Sequence, residues 1–92
     1  MNKKRDKLEI IHSILKTLQE KGEHTKPTHI LYKSNLSHQM LTEYLTELIK
    51  GKFIEEITTN DRKKHYRLTE KGFSYLKDYD SIKAFLESYG LN

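Results

Sequence analysis

No cysteine occurs in the 92 residues, which excludes disulfides and thiolate metal sites. A reducing, cytoplasmic setting is the matching expectation. Apolar residues make up only 35% of the chain and nowhere form the run of roughly 18 that a membrane span requires. The stretch that imitates a leader is Leu8-Glu9-Ile10-Ile11-His12 behind a basic start. Glu9 and His12 interrupt it, and helical periodicity explains it better, so neither membrane nor secretion is expected. Also missing are a glycine-rich phosphate loop, a nucleophile elbow and a recognisable carboxylate pair. A chain of this length buries roughly 60–68% of its unfolded surface, enough for one modest core and no deep cleft besides. No enzyme is expected. The histidines (His12, His24, His29, His38 and His65) include no i,i+4 pair on a helix-like segment. No metal and no other cofactor is therefore expected.

Charge is abundant instead. Charged residues are 33% of the total, with 17 Lys+Arg against 13 Asp+Glu and a net charge of +4. That balance leans towards a polyanionic partner. Lys3, Lys4, Arg5 and Lys7 crowd the N-terminus, and Arg62, Lys63, Lys64 and Arg67 crowd a second segment. From Gly72 onward Lys77 and Lys83 face Asp78, Asp80 and Glu87. A basic body with a near-neutral tail implies separate surfaces for separate partners.

Periodicity divides the chain. Asp6 to Lys21 reads as a first helix, with Leu8, Ile10, Ile11, Ile14, Leu15 and Leu18 on one stripe and Gly22 as its stop. Pro27 suits the first turn of a short second helix to about Lys33, with Ile30, Leu31 and Tyr32 as its apolar residues. Ser34-Asn35 is turn chemistry. Ser37 then caps a third helix that runs to Lys50 and stops at Gly51. Leu36 and Leu41 are placed as the hydrophobic staple of that cap. Met40, Leu41, Tyr44, Leu45, Leu48 and Ile49 form its apolar face. Phe53 to Thr58 and Lys64 to Leu68 are strand-like around a charged tip, with Tyr66 and Leu68 inward and His65 and Arg67 outward. Thr69 caps a last helix through about Tyr89, whose Phe73 is expected against the first helix.

Two helices joined by a tight turn, then a hairpin, then a helix, are the parts of a winged helix. The chain also resembles a family, the small archaeal winged-helix DNA-binding proteins that dimerise through a C-terminal helix in an antiparallel coiled coil. The matching residues are Lys7-Leu8-Glu9-Ile10-Ile11 with Ile14-Leu15, then Asn35-Leu36-Ser37 with Tyr44. Tyr66-x-Leu68-Thr69-x-Lys71-Gly72 completes the set. The likeness covers most of the chain to Gly72 and weakens beyond it. Two departures stand out: Glu43 and Glu47 on or beside the third helix's outer face, and a short final helix. The resemblance implies duplex DNA binding as a homodimer, in transcriptional regulation or chromatin architecture.

The expected fold is therefore α+β, a winged helix-turn-helix of three helices, a β-hairpin wing and a C-terminal dimerisation helix. Residues 1–71 would form the DNA-binding body and 72–92 the dimerisation helix. Arg62, Lys63 and Lys64 at the hairpin tip, with Arg67, are expected at phosphates. On the third helix His38 is a phosphate donor, Gln39 suits adenine, Thr42 and Thr46 suit a thymine methyl or a phosphate, and Glu43 suits a cytosine amino group. Lys3, Lys4 and Arg5 offer a basic arm, and Lys26, His29 and Lys33 flank the second helix. Tyr75, Tyr79, Ile82, Leu86 and Tyr89 repeat at heptad spacing and, with Phe85, are expected at the dimer interface. A protein–protein adaptor that never touches DNA uses the same parts, and Glu43 and Glu47 keep that alternative open.

Overall fold

The computed structural model describes residues 6–91. Lys3, Lys4 and Arg5 lie outside them. The order is α1 (Lys7–Lys21), a short 3-10 turn (Gly22–His24), α2 (Pro27–Ser34), α3 (His38–Lys50), β1 (Ile54–Thr58), β2 (Lys64–Leu68) and α4 (Glu70–Ser88). This is an α+β winged helix-turn-helix: helices around one antiparallel hairpin, with Ile54 opposite Leu68 and Thr58 opposite Lys64.

Each helix starts at a side-chain or proline signal. Asp6 accepts from the Glu9 amide and Glu9 reaches back to the Asp6 amide, a reciprocal capping box ahead of α1. Ser37 Oγ accepts from the Met40 amide at 3.2 Å, and Leu36 and Leu41 both join the core as a staple. Pro27 begins α2, where its missing N–H is no loss. Thr69 Oγ1 accepts from the Gly72 amide at 3.1 Å and opens α4.

α3 runs to Lys50 and stops at Gly51, as expected. Gly51 keeps right-handed torsions, and the left-handed residue is Lys52 at φ +69°. The Phe53 amide donates to Leu48 O at 2.9 Å and the Lys52 amide to Ile49 O at 3.0 Å, the paired bonds of a Schellman ending. Gly51 answers a different demand. A Cβ there would stand 3.0 Å from the Phe53 ring.

The core gathers one face of every element: Ile10, Ile14, Leu15 and Leu18 of α1, Ile30 of α2, Leu41, Leu45 and Leu48 of α3, Ile54, Tyr66 and Leu68 of the hairpin, and Leu76 of α4. Its buried polar groups are bonded, as burial requires. Thr17 Oγ1 donates to Ser13 O at 2.8 Å, and Thr25 Oγ1 donates to Gly22 O at 2.7 Å. The Ser13 hydroxyl donates to the Ser34 hydroxyl at 3.2 Å.

Four residues expected in apolar faces are open to solvent. Leu8 is 57% exposed, Tyr32 86%, Met40 39% and Phe73 50%. For Phe73 the cause is register on α4. Gly72 and Leu76, four apart, occupy the inward line, so Phe73 is turned about 80° from the middle of it. It edges a shallow groove beside Leu18, Gly22 and Leu68 instead.

The expected division between residues 71 and 72 falls in the first turn of α4. The core continues through Leu76, and only from Asp80 to Leu91 is every residue exposed. This projection explains a radius of gyration of 14.0 Å and a longest extent of 49 Å, where a compact chain of this length would have a radius of about 12 Å.

Gly72 marks the tightest approach. A Cβ there would lie 2.4 Å from Phe53 O and 2.8 Å from Leu68 Cδ2. An unconstrained helical glycine gains about 1 kcal/mol on change to alanine. Gly72→Ala should instead lose about 1–3 kcal/mol through overpacking. Urea unfolding followed by circular dichroism reads the sign directly.

Candidate nucleic-acid interface

The outer face of α3 carries His38, Gln39, Thr42, Glu43 and Thr46, all exposed and within one stripe at 100° per residue. Thr42 Oγ1 donates to His38 O at 2.9 Å and Thr46 Oγ1 donates to Thr42 O at 2.8 Å. Both hydroxyl hydrogens are thereby occupied, and the oxygens remain acceptors. Gln39 Nε2 donates to Glu43 Oε2 at 3.4 Å, a long bond that a base edge can replace.

Glu47 is neutralised from an unexpected direction. Lys7 Nζ at the start of α1 stands 2.7 Å from Glu47 Oε2. The hydrogen bond and charge of Glu47 raise the Lys7 pKa above its ordinary value. Nothing local in the sequence signals this pair, because its members lie on separate helices. It removes one of the two acidic departures noted above.

The wing tip is a built turn. The Arg62 amide donates to Thr59 O at 2.9 Å and the Thr59 amide to Lys63 O at 3.0 Å. Arg62 adopts φ +63°, the left-handed position that hairpins of this kind usually give to glycine. Asp61 braces the loop. It accepts from the Thr59 hydroxyl and from the Lys63 amide at 3.2 Å.

Charges around the wing divide into occupied and free. Arg67 Nε lies 2.8 Å from Glu55 Oε1 and its Nη1 3.1 Å from Glu23 Oε1. The Glu55 hydrogen bond, ahead of its charge, raises the guanidinium pKa further. Arg67 thus braces the root of the wing, where the sequence suggested a phosphate contact. Lys64 has a looser partner in Glu56 at 3.8 Å. Among the described residues Arg62 and Lys63 make no salt bridge, although Lys63 feels the charge of Asp61.

Behind the tip the wing meets the N-terminus of α2. Lys26, Pro27, Thr28, Lys63, Lys64 and His65 line a groove of about 250 Å³. His65 packs edge-on to His24 with ring centroids 5.6 Å apart, and its buried Nδ1 lacks a hydrogen-bond partner. His29 Nδ1 accepts from the Lys26 amide at 3.2 Å, so His29 serves the helix start. On the outer side of α2, Thr28, Tyr32 and Asn35 are all exposed. Tyr32 reads in the sequence as a core residue, and no local signal marks it otherwise.

The expected dimer residues separate into two groups. Tyr75 meets Phe53 edge-on at 5.6 Å, and burial is the main cause of its raised pKa. Tyr79 stacks on His12 at 4.2 Å, whose Nε2 lies 3.3 Å from Asp80 Oδ1. Ile82, Phe85, Leu86 and Tyr89 are 61%, 61%, 40% and 69% exposed. Among the described residues no three His, Asp or Glu side chains gather as metal ligands, and no helix is long and apolar enough to cross a membrane.

This geometry, an exposed polar helix face followed directly by a cationic wing, defines a winged-helix domain of the kind found in DNA-binding regulators. The chain belongs to the winged helix-turn-helix family, whose model matches residues 4–87. Among solved structures it is similar to Sso10a-2, a DNA-binding protein from Sulfolobus solfataricus. That match has 26% identity and a TM-score of 0.74, over 94% of this chain and 90% of the other. A protein from Archaeoglobus fulgidus matches at 23% identity and a TM-score of 0.73, over 89% and 91% of the two chains. The transcriptional regulator PcaV from Streptomyces coelicolor matches at 13% identity and a TM-score of 0.77. The match covers 87% of this chain but only 60% of PcaV. The last two likenesses are of fold alone. A comparison with curated proteins gives no match.

Asp61 supplies a test of the wing. Hydrogen bonds from Thr59 and then Lys63 hold its pKa below the ordinary 3.8. A lowered carboxyl pKa contributes stability that is complete above the unfolded value and is lost as pH falls through the folded one. The turn should therefore persist at neutral pH and loosen only below the ordinary aspartate range. A carboxyl-carbon NMR titration should place the Asp61 midpoint below that of a model aspartate, and Thr59→Val should move it back up.

Proposed function

We propose that this chain binds double-stranded DNA as a homodimer and acts as a transcriptional regulator or chromatin-associated protein. The observation that carries the reading is the wing tip. Arg62 is held in a left-handed conformation by a braced turn, without an ion-pair partner among the described residues. A bulky residue there costs about 1–2 kcal/mol over glycine. Solubility alone gives no reason to keep arginine at that site, whereas a phosphate contact does. Lys63 and Lys64 extend the contact, and the groove between them and Lys26 receives the sugar-phosphate backbone at the start of α2. Gln39, Thr42, Glu43 and Thr46 enter the major groove, with His38 and the Tyr32 hydroxyl at flanking phosphates. The Lys7–Glu47 pair supports this reading over the adaptor alternative, because it lowers the negative charge of the reading helix.

Fluorescence anisotropy with duplex DNA tests it. If each subunit neutralises about 3–5 phosphates, log K falls against log salt with a slope near −3 to −5 per subunit. Arg62→Gly relieves the backbone and keeps the fold, yet should weaken binding to all sequences and reduce the slope by about 1. Gln39→Ala should cost about 1–3 kcal/mol at a preferred site only. No binding at about 50 mM salt would favour the adaptor.

The dimer is read from α4. Ile82, Phe85, Leu86 and Tyr89 leave a contiguous apolar stripe that a lone chain seldom exposes. Pairing about a two-fold axis covers both stripes at once. Ile82→Asp with Leu86→Asp should give a folded monomer by sedimentation equilibrium. A wild-type chain that is monomeric at the same concentration removes the dimer.

A further inference from the structure

Leu8 belongs to the apolar stripe of α1 but is 57% exposed. With Tyr75, Asp78, Tyr79, Ile82, Lys83 and Leu86 of α4 it lines a mainly apolar groove of about 400 Å³. At the far end of α4 the chain turns back on itself. Gly90 takes φ +76°, its amide donates to Glu87 O at 2.9 Å, and the Leu91 amide donates to Leu86 O at 2.8 Å. These bonds close the helix and fix a knob in which Tyr89 and Leu91 are 69% and 63% exposed.

We propose that the groove is the seat for this knob from a second copy of the chain. Tyr89 and Leu91 of each subunit enter the groove between Leu8 and the Tyr75–Tyr79 side of α4 in the other. The inference rests on the homodimer reading above and adds α1 to an interface otherwise made by α4 alone.

Geometry selects the occupant. In an antiparallel pair centred midway between Ile82 and Leu86, Ile82 of one copy meets Leu86 of the other. Tyr79 and Tyr89 lie equally far from that midpoint, about 7.5 Å along the axis at 1.5 Å per residue, so they also meet. Leu91 lies beyond the helix end and is folded back onto it by its bond to Leu86 O, so it stays beside Tyr89 and enters the groove that Tyr79 and Leu8 line together. Charge agrees. In this register Asp80 is level with Ser88, Lys83 with Phe85 and Glu87 with Ser81, so no like charges stand level. A parallel pair would set each charge against its own copy and carry the knob away from Leu8. The area also fits. Leu8, Ile82, Phe85, Leu86, Tyr89 and Leu91 present on the order of 600 Å² of open apolar surface, the upper end for a monomer. That is most of the roughly 800 Å² that each partner buries in a standard interface.

Because the chain has no cysteine of its own, single substitutions report contacts cleanly. Mixing Leu8→Cys protein with Leu91→Cys protein and adding a short bismaleimide should give a covalent dimer in higher yield than either protein alone. Mixing Ile82→Cys with Leu86→Cys proteins tests the axis independently. If the second mixture cross-links and the first does not, the groove proposal is overturned and the homodimer stands. If neither cross-links and the wild-type chain sediments as a monomer, the homodimer reading fails and takes the proposal with it. Leu8→Asp adds a reading without cross-linking. It should weaken dimerisation by about ten-fold or more while leaving thermal unfolding of the isolated subunit unchanged. An unchanged dissociation constant would count against the groove.

Discussion

The carbonyl oxygen of Phe53 is the point on which the domain closes. It accepts from the Thr69 amide at 3.2 Å, the Thr69 hydroxyl that donates to Lys52 O at 2.6 Å lies 3.0 Å from it, and it leaves room at its flank only for a glycine at position 72. The amide of the same residue ends α3 through Leu48 O. Its ring lies beneath Lys71 Nζ at 4.5 Å and edge-on to Tyr75. The exit of α3, the root of the wing and the entry of α4 thus share one residue. Close-packed junctions of this kind transmit displacement instead of absorbing it. The wing consequently holds a set angle to α3, which a duplex must meet if it is to touch both at once.

Local chemistry made most of the architecture legible. Asp6, Pro27, Ser37 and Thr69 start helices through bonds or torsions that involve only their near neighbours, and the alternation Tyr66, Arg67, Leu68 places the inner side of β2 correctly. Sequence reasoning failed where a distant residue decides. Gly51 stops α3 where its position in the chain says, yet only the fold shows that the left-handed residue is Lys52 and that the Phe53 ring fills the space beside the glycine. Arg67 carries the charge a phosphate contact needs, and only the fold shows that Glu23 and Glu55 stand beside it. Tyr32 and Leu8 look like core because a stripe on a helix wheel is wider than the line that meets a neighbour. At the candidate site, residue types were readable and their availability was not.

That distinction changes the meaning of the net charge of +4. Lys7 and Arg67 are committed to carboxylates at 3.1 Å or closer, and exposed pairs of this sort contribute little stability. Their effect is to concentrate what remains. With Glu55 and Glu56 answering the cations of β2, uncompensated positive charge collects at Arg62 and Lys63 and at Lys26 across the groove. A polyanion meets a local field, and only the unpaired part of the composition produces it.

The final helix makes the corresponding transition along its own axis. Leu76 is 1% exposed and Ile82, fewer than two turns later, is 61% exposed. Between them Tyr79 stacks on His12 while Asp80 faces the same ring, so the helix is bonded to the body next to its first exposed turn. A helix released from an unbonded edge would pivot there. Anchored at His12, the projecting half keeps its direction relative to α1, and Leu8, one turn earlier on α1, stands beside it. The direction of the projection is what any pairing of two chains would convert into a distance between two wings. It is set by aromatic packing within the chain itself.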